Sequence, residues 1–180
     1  MFNRKSFIFN FFLKYSKVES YSIRPIQKSD ELEVAQLIRT TMQSFDCEGE
    51  GFSIQDPEVD HMYDAYTVPR AAFFVIIDEK GRIQGCGGLA QLVGADQNIC
   101  ELKKMYFYPS LRGKGFGKRL VNVLIEKAKE FKYDKMYLET VARMKRANHL
   151  YQKLGFQKLS ACEGATGHSG CDSFYSKDLT

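Results

Sequence analysis

No two cysteines in this chain stand at C-x-x-C spacing, and their number, five, is odd. A disulfide framework is therefore not expected, which favours a reducing, cytoplasmic setting. The apolar stretch at the N-terminus is far shorter than the roughly 20 residues that cross a bilayer, so stable membrane insertion is not expected either. Charge of one sign is scarce as well: 26 lysines and arginines against 22 aspartates and glutamates leave a net charge of +4, too little to point to nucleic acid as a partner. Two further absences are local. Residues 46–64 carry Asp46, Glu48, Glu50, Asp56, Glu58, Asp60 and Asp64 but no lysine or arginine, and residues 102–120 carry no acidic side chain. What is present is a hydrophobic content of 44% over 180 residues, which suits one domain with a full core.

Residues 1–20 differ in composition from the rest of the chain. Phe2, Phe7, Ile8, Phe9, Phe11, Phe12 and Leu13 are mixed with Arg4, Lys5, Lys14 and Lys17. A basic start before a short apolar run is a feature of secretion signals, but Asn10 interrupts the run and no small-x-small cleavage site comes after it. The readings left are a flexible or packed extension and an amphipathic surface anchor. The chain thus divides into an extension, 1–20, and a domain, 21–180.

The acid-free segment holds the unit around which the domain is organised. Cys100 to Tyr108 reads as a strand, Gly113, Gly115 and Gly117 as a tight loop, and Phe116, Leu120, Val121, Leu124, Ile125, Ala128 and Phe131 recur at helical spacing after it. A helix start offers unpaired N–H groups and the positive end of a dipole, so an anion is stabilised there. Arg112, Lys114, Lys118 and Arg119 add formal charge, with Lys103 and Lys104 beside them. A pyrophosphate site fits these features, and an ordinary solvated helix start is the alternative. In the strand, apolar residues fall at Cys100 and Leu102, then at Met105 and Phe107. That slip of one position predicts a β-bulge near Lys103 and Lys104, which would turn backbone groups toward a ligand.

Glu101-Leu102-x-x-Met105-Tyr106-x-x-Pro109 followed by Arg112-x-x-Gly115-x-Gly117 resembles the acetyl-CoA motif of the GNAT superfamily of N-acetyltransferases. A second block is similar to the family's fifth strand and following helix: Tyr137-Leu138-Glu139-Thr140, then Ala147-x-x-Leu150-Tyr151-x-x-Leu154-Gly155-Phe156. The likeness runs from about Tyr21 to the C-terminus and includes Thr166-Gly167-His168-x-x-Cys171-Asp172, found in a group of largely uncharacterised bacterial members. The resemblance implies an α/β fold with a mixed, twisted central sheet of about seven strands and about four flanking helices, splayed between the fourth and fifth strands. It implies acetyl-CoA as acyl donor, no metal, and contacts from Met105, Tyr106, Phe107, Arg112, Gly113, Lys114, Gly115, Phe116, Gly117, Lys118, Asn148 and Tyr151. A homodimer is a family-level expectation only.

The remaining elements are read from pattern. Tyr21 to Ile26 predicts a first strand broken at Pro25, and Ser29-Asp30 offers an N-cap for a helix carrying Leu32, Ala35, Leu37 and Ile38. The acidic run reads as a solvated loop and helix, or as an attractor for a cationic amine on the family's acceptor side. Ala71 to Ile77 and Arg82 to Leu92 predict a hairpin turned at Asp78-Glu79-Lys80-Gly81. Gly85-x-Gly87-x-x-Ala90 is not a dinucleotide fingerprint, because a turn comes where a Rossmann unit needs a helix. Gly113 to Arg119 fails the Walker spacing. Lys135 to Thr140 predicts a strand, Met144 to Leu154 a helix, and Phe156 to Leu159 and Ser173 to Lys177 two last strands. Cys162, His168 and Cys171 share one loop, but their irregular spacing argues against a metal site.

Acyl transfer to an amine needs a neutral nucleophile, an oxyanion site and a proton for the leaving thiolate. The resemblance makes Tyr151 the general acid, and a phenol of ordinary pKa about 10 stays protonated at neutral pH. Asn148, three residues earlier, shares its helix face and matches an asparagine that contacts the pantetheine or phosphate region in relatives. Backbone N–H near Met105 would hold the oxyanion. Glu101 matches the general-base glutamate of histone-type members; it would act through water or with a raised pKa, because a carboxylate of about 4.3 is too weak a base for an ammonium near 10.4. His168 and bound water alone are the other candidate bases. The implied function is acetyl transfer from acetyl-CoA to a primary amine, small-molecule or lysine-borne, by direct attack in a ternary complex. The alternative is a non-catalytic acyl-CoA-binding sensor or regulatory module.

Overall fold

A computed structural model describes residues 21–180. The expected extension, 1–20, lies outside the described residues. The alternating apolar segments form β1 (Ser22–Pro25), β2 (Ala72–Ile77), β3 (Ile83–Gln91), β4 (Ile99–Phe107), β5 (Lys135–Thr140), β6 (Gln157–Leu159) and β7 (Ser173–Asp178). They make one mixed sheet in the order β1-β2-β3-β4-β5-β7-β6, in which β4 and β5 run parallel and the other neighbours antiparallel.

Four helices cover the sheet: α1 (Glu31–Gln43), α2 (Met62–Tyr66), α3 (Phe116–Glu130) and α4 (Lys145–Lys153). On α1, Val34, Ala35, Leu37, Ile38, Thr41 and Met42 are buried in one stripe at helical spacing. They pack with Val59, Met62, Tyr66, Phe73, Val75 and Cys86 on one face of the sheet. On α3, Phe116, Leu120, Val121, Leu124, Ile125 and Ala128 form the corresponding stripe. It packs on the other face with Ile76, Leu89, Leu102, Leu138 and Tyr151. Leu32, expected on the buried face of α1, is 82% exposed; its position falls off the side of the stripe. Asp30 precedes α1 but makes no side-chain cap to it. Its carboxylate instead accepts both Arg24 guanidinium nitrogens, at 2.6 and 2.9 Å, and the Gln27 N–H at 2.7 Å.

Two features of β4 create the site. The β4–β5 pairing covers only Ile99–Lys135, Cys100–Met136 and Glu101–Tyr137, so residues 102–107 continue without β5 and the sheet opens. The register with β3 shifts between Cys86 and Gly88, and Lys104 has φ of 55°. The expected bulge is there. Gly87 sits across from it, where an added Cβ would lie 2.6 Å from Met105 Sδ, so a larger residue would require the Met105 side chain to move.

Candidate active site

The opening between β4 and β5 leads into two adjoining cavities. The larger, of about 590 Å³, lies between the glycine loop, the end of β4 and α4; Met105, Tyr106, Phe107, Arg112, Gly113, Gly115, Gly117, Lys118 and Tyr151 line it. Six cations, Arg112, Lys118, Arg143, Lys145, Arg146 and Lys153, line it, with no carboxylate among the lining residues. The Arg112 guanidinium is held below its ordinary pKa by burial and by nearby Arg146. Two guanidiniums facing each other without a carboxylate between them favour an anion. Arg112 Nε also donates to the Phe107 carbonyl at 3.0 Å, which fixes the loop's return toward α3, and Gly115 caps that helix with φ of 81°. The groove is of the size and charge that a diphosphate-bearing acyl carrier requires. Thr41 Oγ1, on a residue that also lines it, is fully buried and has no hydrogen-bond partner among the described residues.

Three of the expected contact residues do not line this groove. Lys114 is exposed, with its ammonium over the Tyr21 ring at 5.3 Å. Phe116 is buried in the core, edge-on to Tyr21 at 5.2 Å between centroids. Asn148 shares the helix with Tyr151, but its amide nitrogen donates to the Val141 and Met144 carbonyls, both at 3.0 Å, and its oxygen accepts the Tyr175 hydroxyl at 2.7 Å. Those bonds occupy the groups a ligand would use.

The smaller cavity, of about 70 Å³, lies deeper, beneath the bulge. Met105, Tyr106, Met144, Ala147 and Tyr151 line both cavities, and Glu101, Lys103, Lys104, Glu139, His168 and Cys171 line the inner one. Tyr151 is therefore the side chain at the junction. Its hydroxyl has no hydrogen-bond partner among the described residues, while its ring packs against Phe156 and Tyr175. Burial pushes its phenol up from the ordinary value, so the hydroxyl keeps its proton throughout the neutral range.

The inner cavity is built from a charge cluster that the sequence did not reveal. In a regular strand Lys103 and Lys104 would point to opposite faces; the left-handed Lys104 sends both to the α1 side. Lys104, its side chain only 1% exposed, binds Asp56, and Glu58 at 3.2 Å; Lys103 reaches Glu58 at 3.3 Å and Glu101 at 3.9 Å. These two lysines thus do not serve the phosphate site with which their charge was grouped. Their counterions come from the acidic run, whose Asp56 and Glu58 fold in under β4 while Asp60 and Asp64 pair at the surface with Arg39 and Lys28. Burial works against ionising Asp56, but hydrogen bonding to His168 and the Lys104 ammonium outweigh it and hold its carboxyl at about 2.

His168 Nε2 lies 3.0 Å from Asp56 and Nδ1 3.7 Å from Glu139. Glu139, buried in β5, accepts hydrogen bonds from the Tyr137 hydroxyl at 2.7 Å and the Thr166 hydroxyl at 3.0 Å. A carboxylate next to the apolar run Met136-Tyr137-Leu138 was the available signal for it. Glu101 is 4% exposed, and burial raises its carboxyl above the ordinary value. Among the described residues no hydrogen-bond donor reaches it, and its nearest cation is Lys103. Cys162 is exposed, and the loop trio Cys162, His168 and Cys171 does not gather as a metal-binding group. The described group that does come within ligating distance, Glu31, His61 and Asp64, lies away from both cavities, and Lys28 pairs with its two carboxylates.

Residues 35–156 match the Acetyltransferase (GNAT) family. The chain is 37% identical over 155 residues to the uncharacterized N-acetyltransferase YjgM of Escherichia coli K12, covering 86% of this chain and 92% of that one. Its fold is similar to an acetyltransferase of the GNAT family from Staphylococcus aureus (TM-score 0.78, 23% identity, 89% of this chain and 100% of that one). It is also similar to yncA of Salmonella typhimurium, solved with its cofactor acetyl-CoA (TM-score 0.70, 18% identity, 89% and 95%). With the open β4–β5 sheet and the glycine loop already in view, these matches make the chain a member of the GNAT acetyltransferase family.

Proposed function

We propose that this protein transfers the acetyl group of acetyl-CoA directly to a primary amine in a ternary complex. The observation that carries the proposal is the Tyr151 hydroxyl, protonated and unpartnered among the described residues, where a cationic groove adjoins an inner cavity that Glu101 lines. The diphosphate of acetyl-CoA would rest at the glycine loop with Arg112 and Lys118, and its thioester would reach Tyr151 along β4. The amine would enter the inner cavity as an ammonium and pass a proton to Glu101, directly or through a water. Its nitrogen then bonds to the thioester carbon while backbone N–H at the bulge near Met105 holds the carbonyl oxygen. As the C–S bond breaks, the thiolate would take the Tyr151 proton and the second proton shed by the nitrogen would return to the Tyr151 oxygen, giving CoA thiol and the neutral N-acetyl product.

His168 is the less available candidate, because both its ring nitrogens already face carboxylates. The test is release of CoA thiol from acetyl-CoA across a panel of amines, in wild type and Tyr151→Phe. Amine-dependent release that falls about 10²-fold or more in the variant is expected. Tight acetyl-CoA binding without release for any amine would favour a non-catalytic acyl-CoA sensor instead.

A further inference from the structure

Two carboxylates, Glu101 and Glu139, line the inner cavity together with Lys103 and Lys104, and two more, Asp56 and Glu58, pair with those lysines. Three of the four are supplied from within the protein. Asp56 has Lys104 and His168, Glu58 has Lys104, Lys103 and the Tyr66 hydroxyl at 3.3 Å, and Glu139 has Tyr137 and Thr166. Among the described residues, Glu101 alone of the four lacks a donor, although it is only 4% exposed. Its one ion pair among the described residues is with Lys103, at 3.9 Å, too long for a hydrogen bond, so a cation placed directly against Glu101 would stabilise it further. Both lysines are already held by carboxylates, so the described residues of the cavity offer no free ammonium to an anionic substrate group.

Size narrows the guest further. A cavity of about 70 Å³ has room for a few waters, or for an ammonium and one or two methylenes. An α-amino acid would carry its own carboxylate two bonds from the nitrogen, against Glu101 in a poorly solvated space. A terminal amine carries only CH₂ there, and its chain can lie along Met42, Cys47 and Phe52, which line the inner cavity and not the groove. Resting on the transferase reading above, we propose that the acceptor is a terminal amine on an unbranched alkyl chain and that the inner cavity rejects α-amino acids. The chemistry is shared by free alkyl diamines and by lysine side chains.

The experiment compares kcat/KM at saturating acetyl-CoA for n-butylamine, 1,4-diaminobutane and an N-terminally blocked lysine peptide with that for glycine, alanine and aspartate. Each amine is also titrated by calorimetry into the wild-type protein with CoA bound. One terminal-amine arm should exceed every α-amino acid by about 10²-fold or more, and which arm leads separates free amines from lysine. Glu101→Gln should weaken calorimetric binding of the favoured amine about tenfold or more, a readout independent of proton transfer. Equal or better use of α-amino acids would overturn this inference and leave the transferase reading intact. If acetyl-CoA binds but none of the six acceptors is acetylated or bound, both readings fall. The wild-type comparison decides the matter even if the variant does not fold.

Discussion

At Glu101, the proposed base, chemistry and stability should respond to the same proton. Burial raises its carboxyl above the ordinary value, so as the base it must lose a proton before the amine can, and the rate should fall as pH drops through that raised value. In Glu101→Gln this acid limb should vanish from the pH profile of kcat/KM, with a loss of about 10²-fold at neutral pH. Stability should move the other way. Because the folded state holds the Glu101 proton more tightly than the unfolded chain, it loses stability as pH rises through the window from the unfolded to the folded value. The variant should therefore melt at a higher temperature than wild type at neutral pH, and at the same temperature near pH 3. Tyr151 and Glu101 were legible as residues because their motifs carry them. Asn148 shows where spacing stops helping: three residues put it on a face with Tyr151, but the carbonyls of Val141 and Met144 claim its amide.

At the scale of elements, the bulge in β4 depends on the glycines of β3. An added Cβ at Gly87 would meet the flexible Met105 side chain at 2.6 Å, and one at Gly88 would lie 2.8 Å from the Ala72 carbonyl oxygen and 2.4 Å from Phe73. Gly87→Ala should therefore push Met105 into the groove, raising KM for acetyl-CoA severalfold with a small change in melting temperature. Gly88→Ala has no side chain alone to displace and should lower stability by about 1–3 kcal/mol, read by chemical denaturation. The bulge itself was readable from the slip between Leu102 and Met105, since a period of two exposes a single insertion. Its consequence was not, because sending Lys103 and Lys104 to one side matters only once Asp56 and Glu58 are opposite.

Across the whole molecule, stability should track the paired carboxylates. Burial opposes ionising Asp30, Asp56 and Glu58, yet their cations keep all three below their ordinary values, Asp56 at about 2. Depressed carboxyls contribute stability above the unfolded-state values and lose it as pH falls through the folded ones. The melting temperature should thus drop steadily below about pH 4. Asp56→Asn should cost about 2 kcal/mol at neutral pH, and its difference from wild type should shrink toward about pH 2, both measurable by thermal melts across pH.

The features readable from the chain are the local ones: strands and helices from periodicities of two and 3.6, the glycine loop from residue type, and the family from two motifs in order. Those signals need only neighbours along the backbone. Where the β4–β5 pairing ends, which carboxylates pair with Lys103, Lys104 and His168, and which one is left without a hydrogen-bond donor among the described residues were settled only by packing. Asp56 meets Lys104 from 48 positions away and His168 from 112, and burial and charge pairing at such separations arise only when the sheet, the acidic loop and the C-terminal loop come together.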